Sequence, residues 1–211
     1  MKKLILLLFF LPLVSFGQFF NNKNSPTTPN ESISVDSENQ STEEITFRKM
    51  NWGDSVEDLK KTYPKVQFEE EYQDGADMLM QEGRLIGIDV QIVYIFSENK
   101  LVAGFYYIDP MALVKGSRDR LKDFNTLSIR LNEKYTMERE DEWLDTTWKD
   151  DPNYLDHAVS KGDVSLVERA EVGDTFIAHT LEKEGLSLNH VIIYASGKWV
   201  GIMQKEQSDD F

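Results

Sequence analysis

Between Met78 and Ile108 the chain reads MLMQEGRLIGIDVQIVYIFSENKLVAGFYYI, a run of β-branched and aromatic residues interrupted only by short turn signals. Connections that short join antiparallel neighbours, because a parallel crossover needs about a dozen residues or more. The feature therefore disfavours a parallel βαβ plan and predicts a meander. Its strands are expected over Val66 to Tyr72, Met78 to Leu85, Ile88 to Phe96 and Leu101 to Ile108. The turns between them fall at QDGAD (Gln73 to Asp77), at the Gly83 to Gly87 region and at SENK (Ser97 to Lys100), each with Gly or Asn where a positive φ is demanded. A tight loop on Glu98-Asn99 pairs Phe96 with Leu101, Tyr94 with Ala103 and Ile92 with Phe105.

Ahead of the meander, ITFRKMNWGDSVEDLKKTYP (Ile45 to Pro64) places a Trp-Gly-Asp-Ser turn between a strand and a helix. Asp54 is the expected N-cap, with Glu57 at N3 reaching back as in a capping box. Val56, Leu59 and Tyr63 share a face, and Pro64 ends the helix. A catalytic Asp54 or Ser55 would need a base, and no histidine lies within a hundred residues in sequence. The turn reads as the start of a fold.

After the meander, Leu121, Phe124, Leu127, Leu131 and Tyr135 recur at spacings of three and four, predicting a helix over Met111 to Tyr135, with Gly116 as a kink or Ser117 as its true start. Strand-rich runs follow at Met137 to Trp148, Asp163 to Arg169, Asp174 to Lys183 and Leu186 to Ala195. The fold class is therefore α+β: an antiparallel sheet with packed helices, organised as two tandem helix-plus-meander units. The second unit is enlarged by WLDTTWKDDPNYLDH (Trp143 to His157). The folded part is expected as one domain over residues 45–211, with sub-units 45–110 and 111–211.

The first residues, MKKLILLLFFLPLVSFGQ, have Lys2 and Lys3, an apolar run of eleven from Leu4 to Val14, and small residues at Ser15 and Gly17. That run is short of the ~20 residues a membrane-spanning helix needs and fits a signal peptide over residues 1–17, so export to the periplasm or the outside is expected. Residues 18–44 are Asn, Ser, Thr, Pro and Glu with almost no apolar pattern, hence a disordered polar leader. The chain has no cysteine. Neither a disulfide framework nor a lipid on a cleavage-site cysteine is open to it, so stability rests on packing and no stable membrane anchor is expected.

With 23 basic against 37 acidic residues the net charge is −14, and 21 against 37, or −16, once Lys2 and Lys3 are lost. Nucleic acid and anionic lipid surfaces are poor partners for such a chain. HExxH, GxSxG, Walker A and GxGxxG patterns are all missing, and a thiol nucleophile is impossible without cysteine. Asp156, His157 and Ser160 lie too close along one segment to converge as a triad. No cofactor is predicted. DDPNYLD offers Asp151, Asn153 and Asp156 as hard oxygen ligands for calcium, but departs from the EF-hand pattern at its sixth and twelfth positions, Asp156 and Gly162. Trp143, Trp148 and Tyr154 beside those acids form either a surface for a sugar or a protein, or simply core and cover.

His179 and His190 stand on strands joined by KEGL (Lys183 to Leu186). A loop centred on Glu184-Gly185 pairs them directly, together with Leu181 and Leu188, and Ile177 and Ile192; a three-residue loop with Gly185 left-handed pairs His179 with Asn189 instead. The apolar pattern favours the first register. Two imidazoles could bind zinc or act as a pH switch, but zinc needs three or four ligands and the spacing offers no third.

The motifs F-x4-WG-x-S (Phe47 to Ser55), Y-x-F-x3-KL (Tyr94 to Leu101), L-x2-KY (Leu131 to Tyr135), KGDV (Lys161 to Val164) and IIYAS (Ile192 to Ser196) resemble a family of uncharacterised exported bacterial proteins, and SFGQ resembles signal peptides of the Bacteroidetes. More distantly, the helix-then-meander plan is similar to small envelope proteins of the SmpA/OmlA type and to the tandem beta-lactamase-inhibitor fold. The resemblance implies a non-catalytic binding or envelope-assembly protein whose partner is another envelope or extracellular protein. The alternative is a secreted hydrolase using carboxylates of the enlarged second unit.

Overall fold

The computed structural model describes residues 47–73, 75–108, 116–151 and 153–201. The expected signal peptide, the polar leader, Ile45 and the 111–115 start of the expected second helix lie outside the described residues. The element order is α1 (Val56–Thr62), β1 (Glu69–Gln73), β2 (Ala76–Leu85), β3 (Ile88–Ser97), β4 (Lys100–Ile108), α2 (Ser117–Lys134), β5 (Glu138–Arg139), β6 (Glu142–Trp143), α3 (Leu155–Lys161), β7 (Val164–Val172), β8 (Thr175–Glu184) and β9 (Ser187–Ser196). All strands pair antiparallel in the order β1-β2-β3-β4-β9-β8-β7-β5, with β6 also on β7. The architecture is thus an α+β, sheet-rich one. No described helix is long and apolar enough to cross a membrane.

The opening segment folds one residue out of step with expectation. Ser55, not Asp54, is the N-cap: its hydroxyl accepts from the Asp58 N–H, and the Asp58 carboxylate accepts from the Ser55 N–H at 3.1 Å. Asp54 instead accepts the Asn51 N–H at 2.7 Å and so closes the Trp52-Gly53 turn, where Gly53 takes φ +90°. A shorter carboxylate at N3 reaches back as well as a Glu does, which is why the box shifts. The expected first strand is only an isolated bridge, Phe47 to Met50. The turn docks onto β4 through Gly53 N–H to Leu101 O and Leu101 N–H to Asp54 O, and onto β8 through the Trp52 indole donating to Thr175 Oγ1 at 2.8 Å.

Two hairpin turns match their sequence signals. Ile86-Gly87 and Glu98-Asn99 each have two consecutive positive φ values, as type I′ loops require. Phe96 faces Leu101 as expected, but a bulge between Ile95 and Phe96 shifts the rest of β3 by one. Tyr94 then opposes Gly104 rather than Ala103, and Ile92 opposes Tyr106 rather than Phe105. The extra residue, Val102, has no opposite number.

One face of the sheet carries Leu79, Ile92, Tyr94, Phe96, Leu101, Ile177 and Ile192, and on it sit Leu59 of α1 and Leu127 and Leu131 of α2. A second cluster on the same face joins Phe124 of α2 and Ala158 and Val159 of α3 to Val164, Leu166 and Leu181. The alternate residues, among them Met80, Val93, Phe105 and Ile193, are buried on the opposite face. Helix α2 starts after Gly116, at the later of the two expected positions. The expected strand over Met137 to Trp148 is broken into β5 and β6, two residues each, and α3 was not anticipated. It ends in a left-handed Gly162, φ +82°, whose N–H reaches the Ala158 and Val159 carbonyls.

Candidate functional site

Along β7, Val164, Leu166, Glu168 and Ala170 share the inward phase, so the alternation of the strand carries a carboxylate into the core. Glu168 is 2 % exposed and stands directly opposite His179 on β8, with Arg139 of β5 opposite on its other side. The His179 Nδ1 lies 3.1 Å from Glu168 Oε2, and its Nε2 lies 2.9 Å from the Nε2 of His190 on β9. From above, α2 contributes Ser128, whose hydroxyl donates to Glu168 Oε1 at 2.5 Å, and Phe124, whose ring stacks on His179 at 4.1 Å and 13°. The Arg139 guanidinium lies 5.5 Å from the Phe124 ring centre. Both histidines are buried, at 0 % and 2 % exposure.

These contacts fix the protonation pattern. Burial alone would push the Glu168 carboxyl up, but the hydrogen bonds from His179 and Ser128 outweigh it and hold the group below its ordinary 4.5. Burial depresses His179 below 6.5 against the opposing pull of Glu168, so its ring is neutral. An ionised carboxylate only accepts, so His179 carries its proton on Nδ1 and presents a lone pair at Nε2. His190 must then donate from Nε2. The result is a directional chain: Ser128 and His179 both donate to Glu168, and His190 donates to His179.

The register that brings the imidazoles together differs from both expected ones. Glu184 pairs with Ser187, the loop is Gly185-Leu186, and His179 opposes Ile192 while His190 opposes Leu181. Gly185 takes φ +57° at the first loop position, the demand of a type II′ turn, which leaves Glu184 in the strand. The shift from the first expected register is two residues, so both histidines stay on one face and meet diagonally. Their Nε2 atoms are spent on each other, and the described residues contain no group of three or more His, Asp or Glu side chains that could hold a metal ion.

The acidic-aromatic stretch is divided by the fold. Trp143 packs against the cluster around Phe124 and Val164, and Tyr154, at the start of α3, is half-buried and donates to Asp163 at 3.2 Å. Trp148 is 50 % exposed with its ring 5.6 Å from that of Tyr154, and Leu144 is 86 % exposed. Asp151 accepts from the backbone and side-chain N–H groups of Asn153, whereas Asp156 turns to Arg118 at 3.3 Å. The three expected oxygen ligands are thus not gathered around one point. Asp156, His157 and Ser160 all lie on α3, and the His157 ring meets Tyr154 edge-on at 5.1 Å.

Glu168 and Ser128 escaped sequence reasoning. Their signal was phase: a charged residue in the inward register of a strand, and a hydroxyl one helical turn after Phe124. Compared with family models, curated proteins and solved structures, the chain matches none of them.

Proposed function

We propose that this protein is an exported, non-catalytic binding or envelope-assembly protein, acting in the periplasm or outside the cell on another envelope or extracellular protein. The observation that carries the reading is the exposed pair Leu144 and Trp148, held out on a segment whose ends are fixed by β6 and α3. Exposed aliphatic and aromatic side chains beside polar residues are what a protein partner buries at the centre of a contact. The carboxylates Asp145, Asp150 and Asp151 around them add negative charge, so a complementary partner surface is basic.

The two halves are further read as tandem copies of one helix-plus-meander unit. Each half places its helix before its strands, and their last strands, β4 and β9, lie side by side antiparallel. A two-fold axis normal to the sheet between them would carry β3 onto β8 and α1 onto α2 without changing face. The same arrangement supports the likeness to tandem envelope proteins.

A photo-crosslinking residue at Lys149, introduced into cells making the full chain, tests the function. The expected result is one discrete adduct on a mature protein that starts at Gln18, reduced about tenfold or more when Leu144 and Trp148 are both alanine. A processed, folded protein that forms no adduct would remove the reading.

A further inference from the structure

We propose that the Ser128, Glu168, His179 and His190 chain is a proton-operated latch: it holds α2 on the β7 to β9 end of the sheet while the imidazoles are neutral, and lets α2 go once both are protonated.

The geometry sets the capacity of the chain. One proton can be absorbed without breaking it. His179 becomes an imidazolium between Glu168 and His190, and His190 moves its own proton to Nδ1 so that Nε2 can accept. A second proton has no such solution, because two Nε2–H groups would then face each other across 2.9 Å with no acceptor between them. Among the described residues, the charged groups set against this pair include Glu168 from β7 and Arg139 from β5, and α2 lays Ser128 and Phe124 on it. The Glu168 carboxylate compensates a cation on His179, and Arg139 opposes it.

Relief falls on the weakest attachment. Strands β8 and β9 share ten register pairs, from Thr175 and Ser196 to Glu184 and Ser187. Helix α2 is attached to this end of the sheet by side chains: Leu127 and Leu131 pack with Ile177 and Ile192, while Ser128 on Glu168 and Phe124 on His179 belong to the latch.

The sign of the effect follows from the depressed His179. A group whose folded value lies below its unfolded 6.5 contributes stability that is complete above 6.5 and is lost as pH falls below it. Glu168 sits below 4.5 and stays ionised throughout that window. Each imidazole that protonates only on opening raises the opening equilibrium by up to about fivefold between pH 6.5 and 5.5, hence up to about 30-fold for two.

Native-state hydrogen exchange on the full chain, corrected for intrinsic rates, reads this directly. Between roughly pH 6.5 and 5.5 the opening constant of α2 amides should rise up to about 30-fold, while β2 and β3 amides change by less than about threefold. In His190→Gln the carboxamide either donates to or accepts from His179, and the rise should shrink to about fivefold at most. Parallel loss of protection in β2, β3 and α2 would overturn the proposal, as would a His190→Gln variant with unchanged pH dependence. Imidazole ¹⁵N spectra of the unaltered chain give a second check should that variant not fold. At neutral pH they should show His179 protonated on Nδ1 and His190 on Nε2; any other pattern for these two rings refutes the latch.

Discussion

Gly104→Ala should destabilise the protein by about 2–3 kcal/mol, the range of an overpacked core. A Cβ built on Gly104 would lie 2.1 Å from Cδ1 and 2.2 Å from Cε1 of Phe47, which rests flat against β4 at this point. The ring cannot move aside easily. It is 1 % exposed and enclosed by Tyr94, Tyr106 and Tyr194 at centroid distances of 5.3, 5.2 and 5.6 Å. Phe47→Ala by itself should cost about 3–5 kcal/mol, as large-to-small changes of buried aromatics do. The informative variant is the double one. With the ring gone, alanine at 104 fits, and a mid-strand Gly→Ala change is worth up to about 1 kcal/mol in the favourable direction. Chemical denaturation of the four proteins should therefore give strong coupling between the positions, and simple additivity would mean the ring is not seated on Gly104.

Glu168→Leu should cost about 3 kcal/mol or more at neutral pH. Two hydrogen bonds to a buried anion are lost, each worth about 1.5–3 kcal/mol, and the His179 N–H and Ser128 hydroxyl are left facing apolar atoms. Glu168→Gln keeps an acceptor and should lose less. The pH dependence has a definite sign. Because the folded carboxyl sits below 4.5, its contribution is present above that value and disappears as pH falls through the folded one. The stability gap between wild type and Glu168→Leu should therefore be full at neutral pH and close in acid. A gap that is absent at neutral pH, measured by urea titration, would show that the carboxylate does not hold the core.

How much of this could be read beforehand depends on what kind of signal each element left. The turns at Ile86-Gly87 and Glu98-Asn99 were legible because Gly and Asn tolerate left-handed backbone, and the apolar runs between them have strand length. The bulge at Val102 was not, since its neighbours Leu101 and Ala103 are ordinary strand residues on either side of it. The β8 to β9 register was misjudged for a sharper reason. Apolar alternation is unchanged by a slip of two, so only the turn could decide, and Gly185 at the first position of a two-residue loop was not considered. Helix α3 has only seven residues, of which Ala158 and Val159 are the buried ones, too short a stretch for a period of 3.6 to show. At the candidate site the two histidines were visible as a pair, but Glu168 and Ser128 came from elements far off in sequence, joined only by the sheet order.

That order also governs how the chain finds its shape. Most described strand pairs are local: hairpins with two-residue loops, or β5 and β6 folding back on β7 within about thirty residues. The seam between β4 and β9 joins Phe105 to Ile193, 88 positions apart. Loop closure on that scale carries the largest entropic barrier among the described strand pairs, and it cannot begin until β9 is free to pair. Until then Tyr106 and Tyr107 stand on a raw edge of the N-terminal meander, the condition in which strands pair with wrong partners. Pulse-labelled amides should accordingly become protected in β2 and β3 before those of the seam, and simultaneous protection would show that the halves do not wait for each other. Mistakes made by this protein on the way to its fold would concentrate at one place: the waiting edge of β4.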